Sequence, residues 1–328
     1  MTVPIVTIFG GSGFLGRRVA QSLAREGWRV RVAVRRPDEA NFVRPYGFVG
    51  QVEPIQANVR DEASTRRAIA GANAVVNCVG VLEESGKQSF AAVIEDGAIR
   101  IARIAAAEGV GHLVQISAIG ADPDSPSQYA RAKGRAEAGI REAFPGAVIL
   151  RPSILFGDGD GFFNRFASMA RLSPVVPVIG PDTRFQPAFV DDVATAAAKA
   201  VTGGVPAGVY ELGGPEVQTF RELVERILEV IRRRRLVVAM PMGLARLQAG
   251  FFDALQRLSG GLFTNTIITR DQLRLLGRDN VVAPGASTFA DLGIAPTAME
   301  AVLESYLYAY RPSGQYTEIK ESAVRMRT

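Results

Sequence analysis

A serine, a tyrosine and a lysine are the residues of this sequence best suited to proton transfer. They are Ser117, Tyr129 and Lys133. Tyr129 and Lys133 are four residues apart, so on a helix they share one face. A lysine ammonium beside a phenol lowers the pKa of that phenol, which can then exchange a proton with a carbonyl or carbinol oxygen. Ser117 could hydrogen-bond to the same oxygen, and Lys133 could also hold ribose hydroxyls without any reaction.

Short apolar runs alternate with longer segments of helical periodicity in the first two-thirds of the sequence. The runs are rich in valine and isoleucine and lack polar alternation, which is typical of strands buried on both faces of a parallel sheet. They are Val3–Phe9, Val30–Val34, Ala74–Val79, Leu113–Ile116 and Val148–Leu150. Helical patterns occur at Phe14–Arg25, Ala91–Ala107 and Tyr129–Ala143. Repeated alternation of strand and helix predicts an α/β fold, a Rossmann-type doubly wound parallel sheet.

The first connection between strand and helix is rich in glycine. Gly10, Gly13 and Gly16 have the spacing G-x-x-G-x-x-G. The first glycine permits a tight turn, the second lets the backbone approach a diphosphate, and the third lets the helix pack closely on the strand. The N-terminus of that helix offers N–H groups and a positive dipole end to phosphates. We therefore predict a dinucleotide site with contacts from Gly10, Ser12, Gly13, Phe14, Leu15 and Gly16.

Two arginines end the second strand, 19 residues and 20 residues after Gly16. NAD-binding proteins have an acid near this position for the ribose 2′-hydroxyl. Here Arg35 and Arg36 could bind a 2′-phosphate through bidentate, charge-assisted hydrogen bonds, which predicts NADP(H) rather than NAD(H). The alternative is a pair of solvated loop arginines.

The ends of the later strands should lie at the same edge of the sheet, where ligands of such sheets bind. Asn58 and Val59 are predicted at the adenine edge. Further cofactor contacts are predicted from Cys78, Val79, Gly80 and Ile116. Cys78 is interpreted as a small buried filler rather than a reactive thiol, because its neighbours are apolar.

Composition excludes several classes of protein. Hydrophobic residues make up 47% and charged residues 22% of the 328 residues, which is typical of a globular protein. With one cysteine and one histidine, His112, the chain has neither an internal disulfide nor a zinc cluster, and no metal is expected. No signal peptide or transmembrane helix is predicted. The net charge of +5 favours acidic partners, but basic and aromatic residues do not interleave, so nucleic acid is not expected.

The pattern changes after Phe156, and from Thr219 to about Arg311 it predicts mostly helix. We expect an NADP(H)-binding Rossmann domain formed by residues 1–156 and 186–214. A smaller, mostly helical C-terminal domain is expected from residues 157–185 and 215–310. The final residues, 311–328, contain few apolar side chains and predict an extended tail.

The motifs together resemble the extended branch of the short-chain dehydrogenase/reductase superfamily. They are the glycine motif, "NCVG", Ser117, Tyr129-x-x-x-Lys133, "RPSILFG" and "QPAFVDDVA". The resemblance covers roughly residues 3–310. It implies that Pro152 and Ile154 contact the nicotinamide carboxamide. It also implies that the residues 186–193 return the chain to the nucleotide domain, and that the late helices lie over a substrate cleft.

Within this branch the sequence is most similar to the nucleotide-binding accessory subunits of respiratory complex I, NADH:ubiquinone oxidoreductase. "IFGGSGFLGRRVAQSLAREGWRVRVAVRRP", "RFQPAFVDDVATA" and "YRPSGQY" carry this likeness. The family implies bound NADPH with a structural role, partners among other complex I subunits near the membrane, and a peripheral position on its cytoplasmic, or matrix-equivalent, side. Only twelve positions separate Ser117 from Tyr129, a segment that is usually longer in active relatives.

Four arginines in a row, Arg232, Arg233, Arg234 and Arg235, precede an amphipathic stripe. The arginines could contact anionic lipid head groups or an acidic subunit, or simply form a solvated face at a helix C-terminus. The stripe has helical spacing and could belong to the core or meet a partner or the bilayer interface. It consists of Leu244, Leu247, Phe251, Leu255 and Leu258.

Three functions remain open from the sequence. The first is the NADPH-holding accessory subunit. The second is a free NADP(H)-dependent reductase, epimerase or dehydratase that uses Ser117, Tyr129 and Lys133. The third is a redox-sensing regulator that binds NADP(H) and a transcription partner.

Overall fold

A computed structural model describes residues 3–241, 243, 245 and 269–314 of the chain. Its central sheet is parallel and contains β1 (Ile5–Phe9), β2 (Arg29–Val34), β3 (Val52–Gln56), β4 (Ala74–Asn77), β5 (His112–Ile116), β6 (Val148–Pro152) and a later strand, β11 (Gly208–Leu212). The order across the sheet is β11, β6, β5, β4, β1, β2, β3. The order reverses between β4 and β1, which confirms the predicted doubly wound sheet.

Helices cover both faces of this sheet. The helices of the described chain are α1 (Phe14–Arg25), α2 (Glu62–Ile69), α3 (Asp96–Ala107), α4 (Gln128–Ala143), α5 (Phe163–Leu172), α6 (Val190–Val201), α7 (Phe220–Val230), α8 (Arg270–Leu275) and α9 (Glu300–Leu307). Residues of α1 and α6, such as Val19 and Val193, share a core with Ile8. Residues of α3 and α4, such as Ile140, share the other core with Phe9. The two faces of β1 therefore both bury apolar side chains, as its largely apolar run predicts.

Shorter helical segments connect these elements. A 3₁₀ helix spans Pro37–Tyr46 and another spans Tyr308–Tyr310. A π-helical turn, Ala91–Glu95, leads into α3, so the single helix predicted over Ala91–Ala107 has two geometries.

A third core holds the smaller C-terminal part together. Its strands form pairs: β7 (Leu155–Phe156) with β10 (Ala188–Phe189), β9 (Arg184–Phe185) with β12 (Gln218–Thr219), and β8 (Val175–Ile179) with β13 (Leu236–Met240). Phe163, Phe220, Leu223 and Leu303 of α5, α7 and α9 are buried together in this core. A capping box at Thr219 and Glu222 fixes the start of α7.

The prediction of mostly helix from Thr219 to Arg311 is wrong in two places. Leu236–Met240 is a strand, which suits its β-branched valines. Residues 277–298 contain no helix within the described chain, and Pro284 and Pro296 interrupt this segment.

The same late segment packs partly on the sheet. Phe289 and Leu292 are buried in the core that contains α1 and α6. The backbone N–H of Ala283 donates to Glu211 of β11. Residues 283–292 therefore contact the parallel sheet and its helices, and the domain boundaries remain a prediction.

Some predicted features lie outside the described residues. These are the amphipathic stripe of Leu244, Leu247, Phe251, Leu255 and Leu258, and residues 315–328 of the predicted tail. Arg311, at the start of that tail, is buried and donates to the carbonyl oxygen of Val230. Over the described ranges, no helix is both long and apolar enough to cross a membrane.

A buried carboxylate anchors the start of α5. Asp160 accepts hydrogen bonds from the backbone N–H of Phe163 (2.6 Å) and from the hydroxyl of Tyr306 (2.6 Å). Burial raises the pKa of Asp160 above its usual range. Because Tyr306 lies in α9, this contact joins α9 to the start of α5 in the C-terminal core.

We expect the Tyr306→Phe substitution to lower the free energy of unfolding by about 2 kcal/mol, since it removes a buried hydrogen bond to a carboxylate. Chemical denaturation of the purified chain measures this change. Tyr308→Phe is the matched control, because Tyr308 is exposed. Equal losses in the two variants would contradict an anchoring role for Asp160.

Candidate nucleotide-binding site

The glycine turn between β1 and α1 forms a close-packed cradle. Gly10 has φ +72°, a conformation that favours glycine. A Cβ atom at Gly16 would clash with the carbonyl oxygen of Gly10, so only glycine lets the helix approach this closely. Helix α1 begins after Gly13 without a side-chain cap and without an acid in its first turn. The backbone at Ser12, Phe14 and Leu15 therefore lies where the positive end of α1 can meet phosphates.

The turn after β4 packs directly on this cradle. A Cβ atom at Gly10 would lie 3.2 Å from the Cys78 carbonyl and the Val79 nitrogen. The side chain of Asn77 accepts from the Val79 N–H (3.1 Å) and fixes the turn. Gly80 follows and is exposed. The structure thus brings the predicted Cys78–Gly80 segment beside the glycine turn.

The Cys78 thiol is unsuited to nucleophilic chemistry. Burial raises its pKa to about 12, against the opposing charge of Lys133. A thiol with so high a pKa remains protonated at neutral pH, and only the thiolate is a strong nucleophile. This agrees with the interpretation of Cys78 as a filler.

Arg35 and Arg36 lie exposed at the end of β2, with different partners. The Arg35 guanidinium donates to Gln88 Oε1 (2.5 Å), and that of Arg36 pairs with Glu39 (2.8 Å). Arg60 donates to the carbonyl oxygen of Lys87 (3.3 Å). Two guanidinium groups therefore reach the segment at residues 87–88. Neither Arg60 nor Gln88 was predicted from the sequence to lie beside Arg35. The one sequence feature that pointed to Arg60 is the basic residue in "NVRD".

Asn58 and Val59 follow β3. The Asn58 side chain accepts from the Arg60 N–H (3.1 Å), which makes a local turn. The carbonyl oxygen of Val59 accepts from the guanidinium of Arg100 (2.6 Å). These bonds fix the backbone of the predicted adenine edge.

Tyr129 and Lys133 share one face of α4, as their spacing predicts. The Lys133 ammonium lies 5.9 Å from the centre of the Tyr129 ring and donates to the carbonyl oxygen of Ile116 (2.9 Å). Phe90 packs edge-on against Tyr129, with ring centres 5.8 Å apart. The carboxyl end of β5 at Ile116 is therefore tied directly to the lysine.

The electrostatics of this pair differ from expectation. Burial raises the pKa of Tyr129 to about 12, so the predicted lowering of the phenol pKa by Lys133 is wrong. Burial also lowers the pKa of Lys133 to about 8, although the Glu137 carboxylate opposes this shift. For Tyr129 the dominant effect is the cost of burying a charged phenolate. For Lys133 the cost of burying the ammonium exceeds its attraction to the Glu137 carboxylate.

Ser117 is engaged by a buried ion-pair network. Its hydroxyl donates to Glu137 Oε1 (2.5 Å), and both residues are buried. Arg151 donates to the same carboxylate through Nε (2.9 Å) and Nη2 (2.6 Å), and to Glu211 through Nη1 (3.3 Å). The hydrogen bonds that Arg151 donates to Glu137 are the main cause of the raised pKa of Arg151. The Ser117 proton is thus directed into the network.

The sequence analysis missed this network. The sequence feature that could have indicated it is a charged residue within each of two apolar strand runs, Arg151 in "VILRP" and Glu211 in "GVYEL". Arg151 and Glu211 are register partners on β6 and β11, which places the charges side by side.

Pro152 and Ile154 lie near the loop after β5. The carbonyl oxygen of Pro152 accepts from the Ile119 N–H (3.1 Å). Between them, Ser153 donates to Asn280 Oδ1 (2.7 Å), and Asn280 donates to the Ile119 carbonyl oxygen (3.3 Å). Asn280, which the sequence analysis did not single out, joins the two segments predicted to surround the nicotinamide.

The four consecutive arginines do not form one free patch. Arg233 donates to the carbonyl oxygen of Tyr310 (2.8 Å) and Arg235 to that of Ala170 (2.7 Å). Arg232 and Arg234 are exposed. Half of this run is therefore used to hold the C-terminal part together, and lipid contact through all four is not supported.

Known proteins share both the fold and the sequence. A family model described as NAD(P)H-binding matches residues 10–167. The DesIV dTDP-glucose 4,6-dehydratase of Streptomyces venezuelae, solved with NAD and TYD bound, superposes with a TM-score of 0.69 over 93% of this chain and 96% of that one. At 17% identity this likeness shows the fold alone.

Sequence relatives are more informative. Ceramide reductase of Caulobacter vibrioides is 34% identical over 190 residues, 58% of this chain and 58% of that protein. The mitochondrial NADH dehydrogenase (ubiquinone) 1 alpha subcomplex subunit 9 of Arabidopsis thaliana is 34% identical over 316 residues, which cover 94% of this chain and 79% of that protein. The chain therefore has an NAD(P)H-binding domain and belongs to the family of alpha subcomplex subunit 9 of NADH dehydrogenase (ubiquinone), the complex I group that its motifs resemble.

Proposed function

We propose that this chain is an accessory subunit of respiratory complex I, in which NADPH has a structural, stabilising role. One observation carries the proposal beyond family membership: an intact nucleotide cradle lies beside a serine whose hydroxyl is bonded to Glu137. A reductase of this type needs that hydroxyl to hold a substrate oxygen, whereas cofactor binding does not.

The residues present fit NADPH. At Gly10, Gly13 and Gly16 a Cβ atom would lie within 3.2 Å of neighbouring backbone atoms, so the three glycines allow the tight turn and close helix packing that a diphosphate cradle requires. Arg35 and Arg36 are exposed cations suited to the 2′-phosphate. Lys133 is suited to the nicotinamide ribose hydroxyls, because its ammonium has three donors and Ile116 occupies one. In this role Lys133 binds and orients without any turnover.

As a subunit, the chain would be peripheral, on the cytoplasmic or matrix-equivalent side of the respiratory membrane. Its partners would be other complex I subunits. The exposed side chain of Arg234 is suited to an acidic partner surface.

A second candidate is a free NADP(H)-dependent reductase. The likeness to ceramide reductase and the retained Tyr129–Lys133 pair favour it. Bound NADPH would supply a hydride, and Tyr129 would have to donate a proton despite a pKa near 12. A phenol this weakly acidic is poorly matched to neutral pH, which ranks this candidate second.

Gentle solubilisation of membranes followed by native separation tests the main proposal. We expect the chain to migrate with a large assembly that has NADH dehydrogenase activity, and its deletion to destabilise that assembly. Migration only as a free monomer or dimer would contradict the proposal. A substrate screen with Tyr129→Phe as the inactive control would then test the reductase.

Arginine substitution tests the choice of NADPH. We expect Arg35→Ala to weaken NADPH binding about tenfold by removing a charge-assisted hydrogen bond, while NADH affinity changes less than twofold. Titration calorimetry of the purified chain measures both. Arg44→Ala is the control, because Arg44 is exposed and bonds only locally, to Asn41. Equal affinities of the wild-type chain for NADPH and NADH would contradict the preference.

The buried lysine predicts a pH-dependent stability. The folded chain releases the Lys133 proton near pH 8, whereas the unfolded chain, with a pKa near 10.5, still holds it. Since the unfolded state then binds more protons, stability rises with pH across this window. From pH 7.5 to 10.5 we expect the wild-type chain to gain about 2 to 3 kcal/mol relative to Lys133→Met.

Denaturant unfolding of the apo chain at each pH measures this gain. Lys199→Met is the matched control, because Lys199 also donates to a main-chain carbonyl, that of Leu292, but is only half-buried. If the free energy of unfolding changed with pH equally in the wild-type chain and in Lys133→Met, the ammonium would be well solvated. That result would contradict the lowered pKa of Lys133.

A further inference from the structure

A carboxylate from the late part of the chain lies at the start of the helix that carries Tyr129 and Lys133. Asp271, in α8, accepts three hydrogen bonds there. Its Oδ1 accepts from the Gln128 N–H (2.7 Å). Its Oδ2 accepts from the Ser127 hydroxyl (2.8 Å) and the Tyr129 N–H (3.1 Å). The Asp271 side chain is only 14% exposed, so these bonds are shielded from water.

These contacts address what the start of a helix lacks. The first N–H groups of α4 have no partner within the helix, and its N-terminus carries the positive end of the dipole. Ser127 alone caps one of them, by accepting from the Ala130 N–H (3.3 Å). Asp271 accepts from two further N–H groups, those of Gln128 and Tyr129, and also from the Ser127 hydroxyl. Its negative charge lies at the positive end of the α4 dipole, where an anion is stabilised.

The short helix α8 is itself held in place. A capping box formed by Thr269 and Gln272 fixes its start. Arg274, one turn after Asp271, donates to the carbonyl oxygen of Pro126 (3.2 Å). Asp271 and Arg274 therefore both bond to the segment of residues 126–129, from the same side.

We propose that Asp271 is a positioning residue for the nicotinamide half of the cofactor site. Its carboxylate fixes the first turn of α4, and Tyr129 and Lys133 project from that turn and the next. The inference rests on the proposed binding of NADPH. It adds that a residue more than 130 positions away in sequence sets how tightly the nicotinamide ribose is held.

Two ligands separate positioning from general stability. NADPH spans the whole site, whereas adenosine 2′,5′-bisphosphate has only the adenine, ribose and 2′-phosphate that the strand ends near Arg35 would bind. In the full-length chain we expect Asp271→Ala to weaken NADPH binding about tenfold, with bisphosphate affinity unchanged within twofold. Asp271→Asn keeps one acceptor oxygen and should give an intermediate loss. The fluorescence anisotropy of the nicotinamide of bound NADPH should be highest in the wild-type chain, intermediate in Asp271→Asn and lowest in Asp271→Ala.

Asp279→Asn is the matched control, because it removes a carboxylate of the same segment that accepts hydrogen bonds from Arg184, away from α4. It should leave both affinities unchanged. Equal weakening of both ligands in Asp271→Asn would show a general structural role and overturn the inference, as would NADPH affinity within twofold of wild type in Asp271→Ala. A wild-type chain that binds neither ligand would instead overturn the proposed function itself.

Discussion

The half-buried guanidinium of Arg151 is the constraint on which most of the site depends. It is 22% exposed and holds Glu137, 2% exposed, at 2.6 Å and Glu211, 10% exposed, at 3.3 Å. Buried charges of this kind are tolerated only when paired, and loss of one partner typically costs about 3–5 kcal/mol. Because Glu137 is on α4 and Glu211 on β11, the pairing fixes the helix against two strands. The Glu137 carboxylate also accepts a hydrogen bond from the hydroxyl of Ser117.

This pairing joins fold stability to the chemistry of the site. Glu137 lies one turn after Lys133, so the residue that closes the ion-pair network also adds negative charge beside the lysine. The carboxylate does not fully offset the burial of that ammonium, whose pKa stays near 8. A site built for catalysis would leave Ser117 free, and one built for binding needs only an ammonium with donors to spare. The geometry around Glu137 suits the second.

Sequence patterns predicted the elements whose residues act locally. The runs around β1 and α1 and the spacing of Gly10 and Gly16 define one turn, so their geometry follows from neighbouring residues. The same holds for Tyr129 and Lys133 on one helix. Asp271, Asn280 and Glu211 were missed because their roles depend on contacts with residues more than 50 positions away. The rise in the Tyr129 pKa was missed for a related reason, since burial depends on Phe90 and other packing that spacing does not encode.

The proposed binding of NADPH without turnover would explain why parts of a catalyst persist. A ligand that binds only the folded chain stabilises it in proportion to the logarithm of its concentration over its Kd. The residues predicted to hold NADPH belong to the ends of β1 through β6 and to α1 and α4, elements that meet only in the complete sheet. Binding would therefore require the fully assembled sheet and would stabilise it. Asp271 bonds the same helix to the late segment of the chain. A tightly held nicotinamide ribose would therefore also stabilise the C-terminal part against the sheet. A tyrosine and lysine kept for that purpose need no substrate, and the raised pKa of the phenol is then no disadvantage.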